Sequence, residues 1–172
     1  MWVTGVDPAV ADEVRQTLKA PGYGHPAVVE LARGTGPCRQ CLGTFRVGQE
    51  ERVLFTYRPR EEGGTVTAPG PIFVHRDRCQ APDPARFLTT SAPPPLLLEA
   101  RGDGGVVLTT SHSGGSRVEG DIARLFADAQ VRYLFVRNSE AGCWMAGVDR
   151  ARLDLSATRS GGGGLRRPRG GH

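Results

Sequence analysis

The chain contains a single lysine, Lys19, and no apolar run approaching the ~20 residues needed to span a bilayer. No membrane association is therefore expected. Aromatic residues make up 6% of it, which leaves no base-stacking platform for single-stranded nucleic acid. Its glycine pairs do not follow a strand into a helix, so neither a dinucleotide fingerprint nor a phosphate-cradling loop is present. Asp7 and Pro8 interrupt the start before the apolar core of a signal peptide could form. Residue 2 is Trp and the chain ends Gly-Gly-His, which fits no lipidation signal. A cytoplasmic, reducing location is the resulting expectation.

Acidic residues are missing from one stretch, residues 156–172, which carries Arg159, Arg166, Arg167 and Arg169. The whole chain has 22 basic and 18 acidic side chains; without those four arginines, residues 1–155 balance at 18 and 18. The net charge of +4 thus belongs to the tail, and no basic nucleic-acid face is implied for the rest. Weak capture of nucleic acid or an acidic partner through the tail is the one charge-based reading left. Gly161–Gly164 and the Arg-Arg-Pro-Arg run read as a disordered Gly/Arg-rich tail over 156–172, following one domain over 1–155.

What is present is a polar globular composition, 38% hydrophobic and 23% charged, with 24 glycines and 13 prolines marking many turns. Asp7-Pro8 is a helix start, and Val10, Val14 and Leu18 recur at helical spacing, predicting a helix over Pro8–Lys19. Val118, Ile122, Leu125 and Phe126 define one face of a second helix over Ser116–Asp128. Strands are expected at Met1–Val6, Ala27–Ala32, Arg52–Tyr57, Pro71–His75, Leu96–Ala100, Val106–Thr110, Val131–Val136 and Cys143–Val148. Gly102–Gly105 is a hairpin signal, whereas Arg58–Gly70, Ala81–Pro95 and Ser111–Ser116 read as loops. Runs of strands without strict alternation point to an α+β fold: a mostly antiparallel sheet of about seven short strands with two helices.

The chemistry concentrates in Cys38-x2-Cys41 and His75-x3-Cys79. Thiolates and an imidazole suit zinc, which takes four ligands in a tetrahedron. Two cysteines on a tight turn can face one ion. A strand ending at His75 can bring the other two ligands if it pairs beside Arg52–Tyr57. In a reducing compartment such a pair is read as metal-binding or redox-active before it is read as a disulfide. Three readings therefore stand together: a structural zinc site, a Cys38/Cys41 redox pair, and four unrelated thiols and imidazole. Leu42-Gly43-Thr44 is poor helix-starting sequence, which counts against the redox pair, because that chemistry uses a helix N-terminus to lower a cysteine pKa.

Cys143 has Asn138 five residues earlier across a turn. It is read either as a nucleophile with an oriented partner or as a small residue opening a core strand. His25 and His112 sit among Gly, Pro and Ser and read as solvent-exposed.

Several short matches occur in order: Gly36-Pro37-Cys38-Arg39, Gly48-Gln49-Glu50, Gly70–His75, the Ile122–Asp128 helix, Asn138 with Gly142-Cys143-Trp144, and Val148–Ala151. Together they resemble the bacterial domain of unknown function 1203 family across about residues 1–155. The resemblance implies a small standalone cytoplasmic domain and carries no assigned activity. Many members have a histidine where Arg137 stands, so a role built on that histidine does not transfer. Many also lack the full Cys/His set, which would make a metal a subgroup feature. Substrate and partner are not legible, and the chain is read neither as an enzyme nor as a non-enzyme.

Overall fold

The computed structural model describes residues 2–59, 67–83 and 95–150 of the protein. Helix α1 (Pro8–Thr17) begins where the Asp7 carboxylate accepts a hydrogen bond from Ala9 N at 2.8 Å, with Pro8 in the first turn. It stops two residues before the expected Lys19, because Leu18 turns into the left-handed region at φ 50°. Its buried residues are Ala11, Val14 and Arg15, so a cation lies on the same stripe as the apolar side chains.

Eight strands are found among the described residues. They are β1 (Trp2–Thr4), β2 (Val28–Leu31), β3 (Glu51–Tyr57), β4 (Gly70–His75), β5 (Leu96–Arg101), β6 (Val107–Ser113), β7 (Tyr133–Asn138) and β8 (Trp144–Asp149). The α+β class and the antiparallel pairing expected from the sequence are both present, but the strands divide into two sheets. A five-stranded sheet has the order β1-β8-β7-β5-β6, and a three-stranded sheet has the order β2-β3-β4. Helix α2 (Val118–Phe126) follows a short 3-10 turn at Gly115–Arg117, where the sequence placed the first helical turn. Strand β6 runs on to Ser113 through residues read as loop, since Ser111 and Ser113 pair with Leu98 and Leu96 of β5. Ladder bonding there outweighs the poor strand propensity of serine.

The central strands β7 and β8 of the five-stranded sheet are buried on both faces, while its edge strands β1 and β6 are largely exposed. On one face Leu98, Leu134, Val136 and Val148 pack against Val118, Ile122 and Leu125 of α2. Phe135 and Trp144 belong instead to a second core with Val14 of α1 and Val53, Phe55, Ile72 and Val74 of the small sheet. This second core joins the two sheets, and the Cys38 segment lies in it. No helix among the described residues is long and apolar enough to cross a membrane. The 156–172 tail and much of the Arg58–Gly70 and Ala81–Pro95 connections lie outside the described residues.

Candidate metal centre

The segment from Pro37 to Thr44 is a turn closed by a bridge between its ends. Cys38 N donates to Gly43 O and Leu42 N to Cys38 O, both at 2.8 Å. Leu42 adopts φ 60°, a left-handed conformation costing a branched side chain about 1 kcal/mol. Burial of that side chain against the α2-side core offsets the cost, at about 2 kcal/mol for a leucine. The turn is thereby pinned from inside.

It is also stitched to both sheets. Arg39 N donates to Phe73 O of β4 at 2.8 Å, and Arg39 Nε donates to Trp144 O of β8 at 2.7 Å. From β1's side, Val6 N donates to Arg39 O at 2.6 Å. Burial lowers the pKa of the Arg39 guanidinium, while the neighbouring Cys143 acts in the opposite direction.

Pairing of β3 with β4 sets Arg52 opposite His75, as the sequence reading required, and brings the end of β4 beside the cysteine turn. Cys41 Sγ lies 3.5 Å from His75 Nδ1, and Cys38 Sγ lies 3.8 Å from Cys79 Sγ. His75 N donates to Cys38 Sγ at 3.4 Å. All four donor atoms fall within 4.8 Å of one another, so Cys38, Cys41, His75 and Cys79 form a cluster that could hold a metal ion. All four cysteines of the chain are free thiols.

Cys38 is fully buried, and the other three are partly accessible. Hydrogen bonds, first from Cys41 and then from Cys79, hold the Cys38 thiol far below the usual range despite its burial. The same contacts, led by Cys38, push the Cys79 thiol up. His75 is raised to about 10, mainly by hydrogen bonding to Cys38 and then Cys41. The Phe45 ring centroid stands 4.6 Å from that of the imidazole, and Glu50 Oε2 lies 3.6 Å from Nε2 on its far side. A polar cavity of about 480 Å³ opens beside His75 and Cys79, lined also by Arg46, Glu50, Asp77 and Arg78.

The chain matches the family described as "Protein of unknown function (DUF1203)" over residues 35–150. It belongs to that family. The DUF1203 segment contains all four clustered residues and Cys143, while α1 and β1 precede it. No curated protein and no solved structure is found to match the chain.

The remaining sites separate clearly. Cys38 and Cys41 sit on a turn and not at a helix start, so the dipole that redox chemistry of that type uses is missing there. Cys143 stands just before β8. The Asn138 side-chain oxygen accepts from Glu140 N and Ala141 N, at 2.9 and 2.8 Å. That oxygen therefore builds the β7–β8 turn. His25 and His112 are exposed, the latter on β6. Sequence reasoning missed Arg15, Gln40 and Glu50 around the cluster. Arg15 falls outside the Val10, Val14 and Leu18 spacing read from the sequence, and shares a buried face with Ala11 and Val14 only in the folded chain.

Proposed function

We propose that Cys38, Cys41, His75 and Cys79 are the ligands of one structural zinc ion, in a small domain that is not catalytic through that ion. The observation that carries this reading is the spacing of the donors. Zinc–sulfur bonds of about 2.3 Å and zinc–nitrogen bonds of about 2.0–2.1 Å imply tetrahedral edges of about 3.8 Å for S···S and about 3.5–3.6 Å for S···N. The distances between Cys38 and Cys79 and between Cys41 and His75 are 3.8 and 3.5 Å. Four protein donors close the sphere and leave no position for water or substrate. The ion would clamp the cysteine turn to the exit of β4 across the second core.

Nδ1 is the imidazole nitrogen facing Cys41, so His75 would ligate through Nδ1 with Nε2 toward Glu50. Glu50 is itself held by Arg46 N and Arg46 Nε at 2.8 and 2.9 Å. Glu50→Gln is expected to weaken zinc binding about 10-fold, by loosening the ring's orientation. Chelator competition measures this; unchanged affinity would remove Glu50 from the site.

The reading itself is tested by elemental analysis of the full chain with counted thiols. About one zinc per chain is expected, with Cys38, Cys41 and Cys79 becoming reactive only after chelation. Absence of metal together with freely reactive thiols at those positions would overturn it.

A further inference from the structure

Three thiolates and a neutral imidazole around a divalent cation leave one net negative charge. A partly buried anion of this kind gains from a charged partner, because its desolvation is otherwise uncompensated. The Arg15 side chain is 6% exposed and its guanidinium is aimed at the cluster. Arg15 Nη2 lies 3.7 Å from Cys79 Sγ and donates to Gln40 Oε1 at 2.6 Å, while Nε donates to His75 O at 2.9 Å. One planar fork thus touches the cysteine turn, the end of β4 and Cys79. Its carboxylate partner, Asp12 at 2.9 Å, is shared with Arg78 at 3.0 Å. One carboxylate serving two guanidinium groups leaves Arg15 incompletely neutralised, so it can face the negative charge of the occupied centre.

Of the other buried arginines, Arg52 and Arg101 pair with glutamates, and Arg39 feels the charge of Cys38 but bonds backbone carbonyls. Arg52 donates through Nε and Nη2 to Glu30. Arg39 directs Nε and Nη1 to the carbonyls of Trp144 and Pro37. Cys79, in turn, lies beyond β4, and no backbone–backbone hydrogen bond among the described residues reaches it. Gln40 Nε2 donates to its carbonyl at 3.3 Å, and Arg15 faces its sulfur. The other three ligands sit in a bridged turn or a strand.

We infer that Arg15 is the counter-ion at Cys79 and the positioning residue that keeps Cys79 in the coordination sphere. The inference rests on the zinc reading. Cys79 is then the ligand that opens first, on the side of the polar cavity, when the guanidinium is lost.

The test uses the full chain loaded with Co²⁺ as a spectroscopic stand-in for zinc. Arg15→Met is expected to weaken Co²⁺ binding about 10–100-fold, the range for a lost outer-shell partner. Sulfur-to-cobalt charge-transfer absorbance should fall from a three-thiolate to a two-thiolate level. Mass-mapped alkylation should find Cys79 reacting first. Arg15→Lys keeps the charge without the fork and is expected to recover part of the affinity, with Cys79 still first to react. If Arg15→Met does not fold, the lysine variant decides the matter through that order of reaction. A folded Arg15→Met with wild-type affinity and spectrum, or either variant losing protection at all three cysteines together, would overturn the inference while leaving the zinc reading intact. Failure of the wild-type chain to bind Co²⁺ or Zn²⁺ would overturn both.

Discussion

Cys41→Ser is expected to abolish tight zinc binding and to lower the melting temperature by about 8–16 °C relative to the zinc-loaded protein. A ligand present at about 1,000 times its dissociation constant stabilises the folded state by about 4 kcal/mol. For a chain of this size each kcal/mol shifts the melting temperature by about 2–4 °C. The chain has two hydrophobic cores of its own, so the variant should still fold, unlike an isolated zinc finger. A chelator should reproduce the shift in the wild-type protein and have no further effect on the variant. Acid should act in the same direction as the chelator, because the thiols and the imidazole must lose their protons to bind. Cys143→Ser is the control: it lies at the β7–β8 turn and should leave metal content unchanged. Calorimetry with and without chelator, alongside elemental analysis, reads all of these. Equal melting temperatures for wild type and Cys41→Ser in zinc would sink the structural role.

Gly5→Ala should be nearly as disruptive, by a steric route. A Cβ at Gly5 would fall 2.3 Å from Arg39 O and 2.5 Å from Gln40 O. Both are backbone atoms of the cysteine turn, so no side-chain rotation can relieve the contact. Overpacking of this kind costs about 2–3 kcal/mol, or about 4–12 °C at this chain length. The next residue, Val6, donates its N–H to the same Arg39 carbonyl, so relief requires moving the turn away from β1. Zinc affinity should therefore fall together with stability. Gly34→Ala is the matched control, since its added Cβ meets nothing within 4 Å, and it should change stability by less than about 0.5 kcal/mol. Thermal unfolding with zinc titration distinguishes the two. A Gly5→Ala protein as stable as Gly34→Ala would mean that the turn is not wedged against β1.

Most of the elements were readable from local patterns. Asp7-Pro8 caps α1, the β-branched run at Arg52–Tyr57 became β3, and the spacing of Val118, Ile122 and Leu125 marks the buried face of α2. Each is a short-range preference of neighbouring residues, so one window of sequence suffices. The identities of the four donors were equally legible, because the chemistry that suits zinc is a property of cysteine and histidine. For one ion to take all four, a turn and a strand end would have to meet.

The meeting itself depended on pairing between distant segments. Alternation along a strand says which residues share a face and nothing about which strand lies alongside, so the split into two sheets was not visible. Nor was the role of Gly5, whose neighbours in space are carbonyls more than thirty positions away. Arg15 illustrates the same limit. The spacing of Val10, Val14 and Leu18 does not include it, and a buried cation is defined by its partners: Asp12 from α1 itself, Gln40 from the cysteine turn, and His75 and Cys79 from the end of β4 and just beyond. Residue types and local spacing thus determined the elements and the donor set; long-range register and packing decided where the centre sits, what charge surrounds it and what holds it closed.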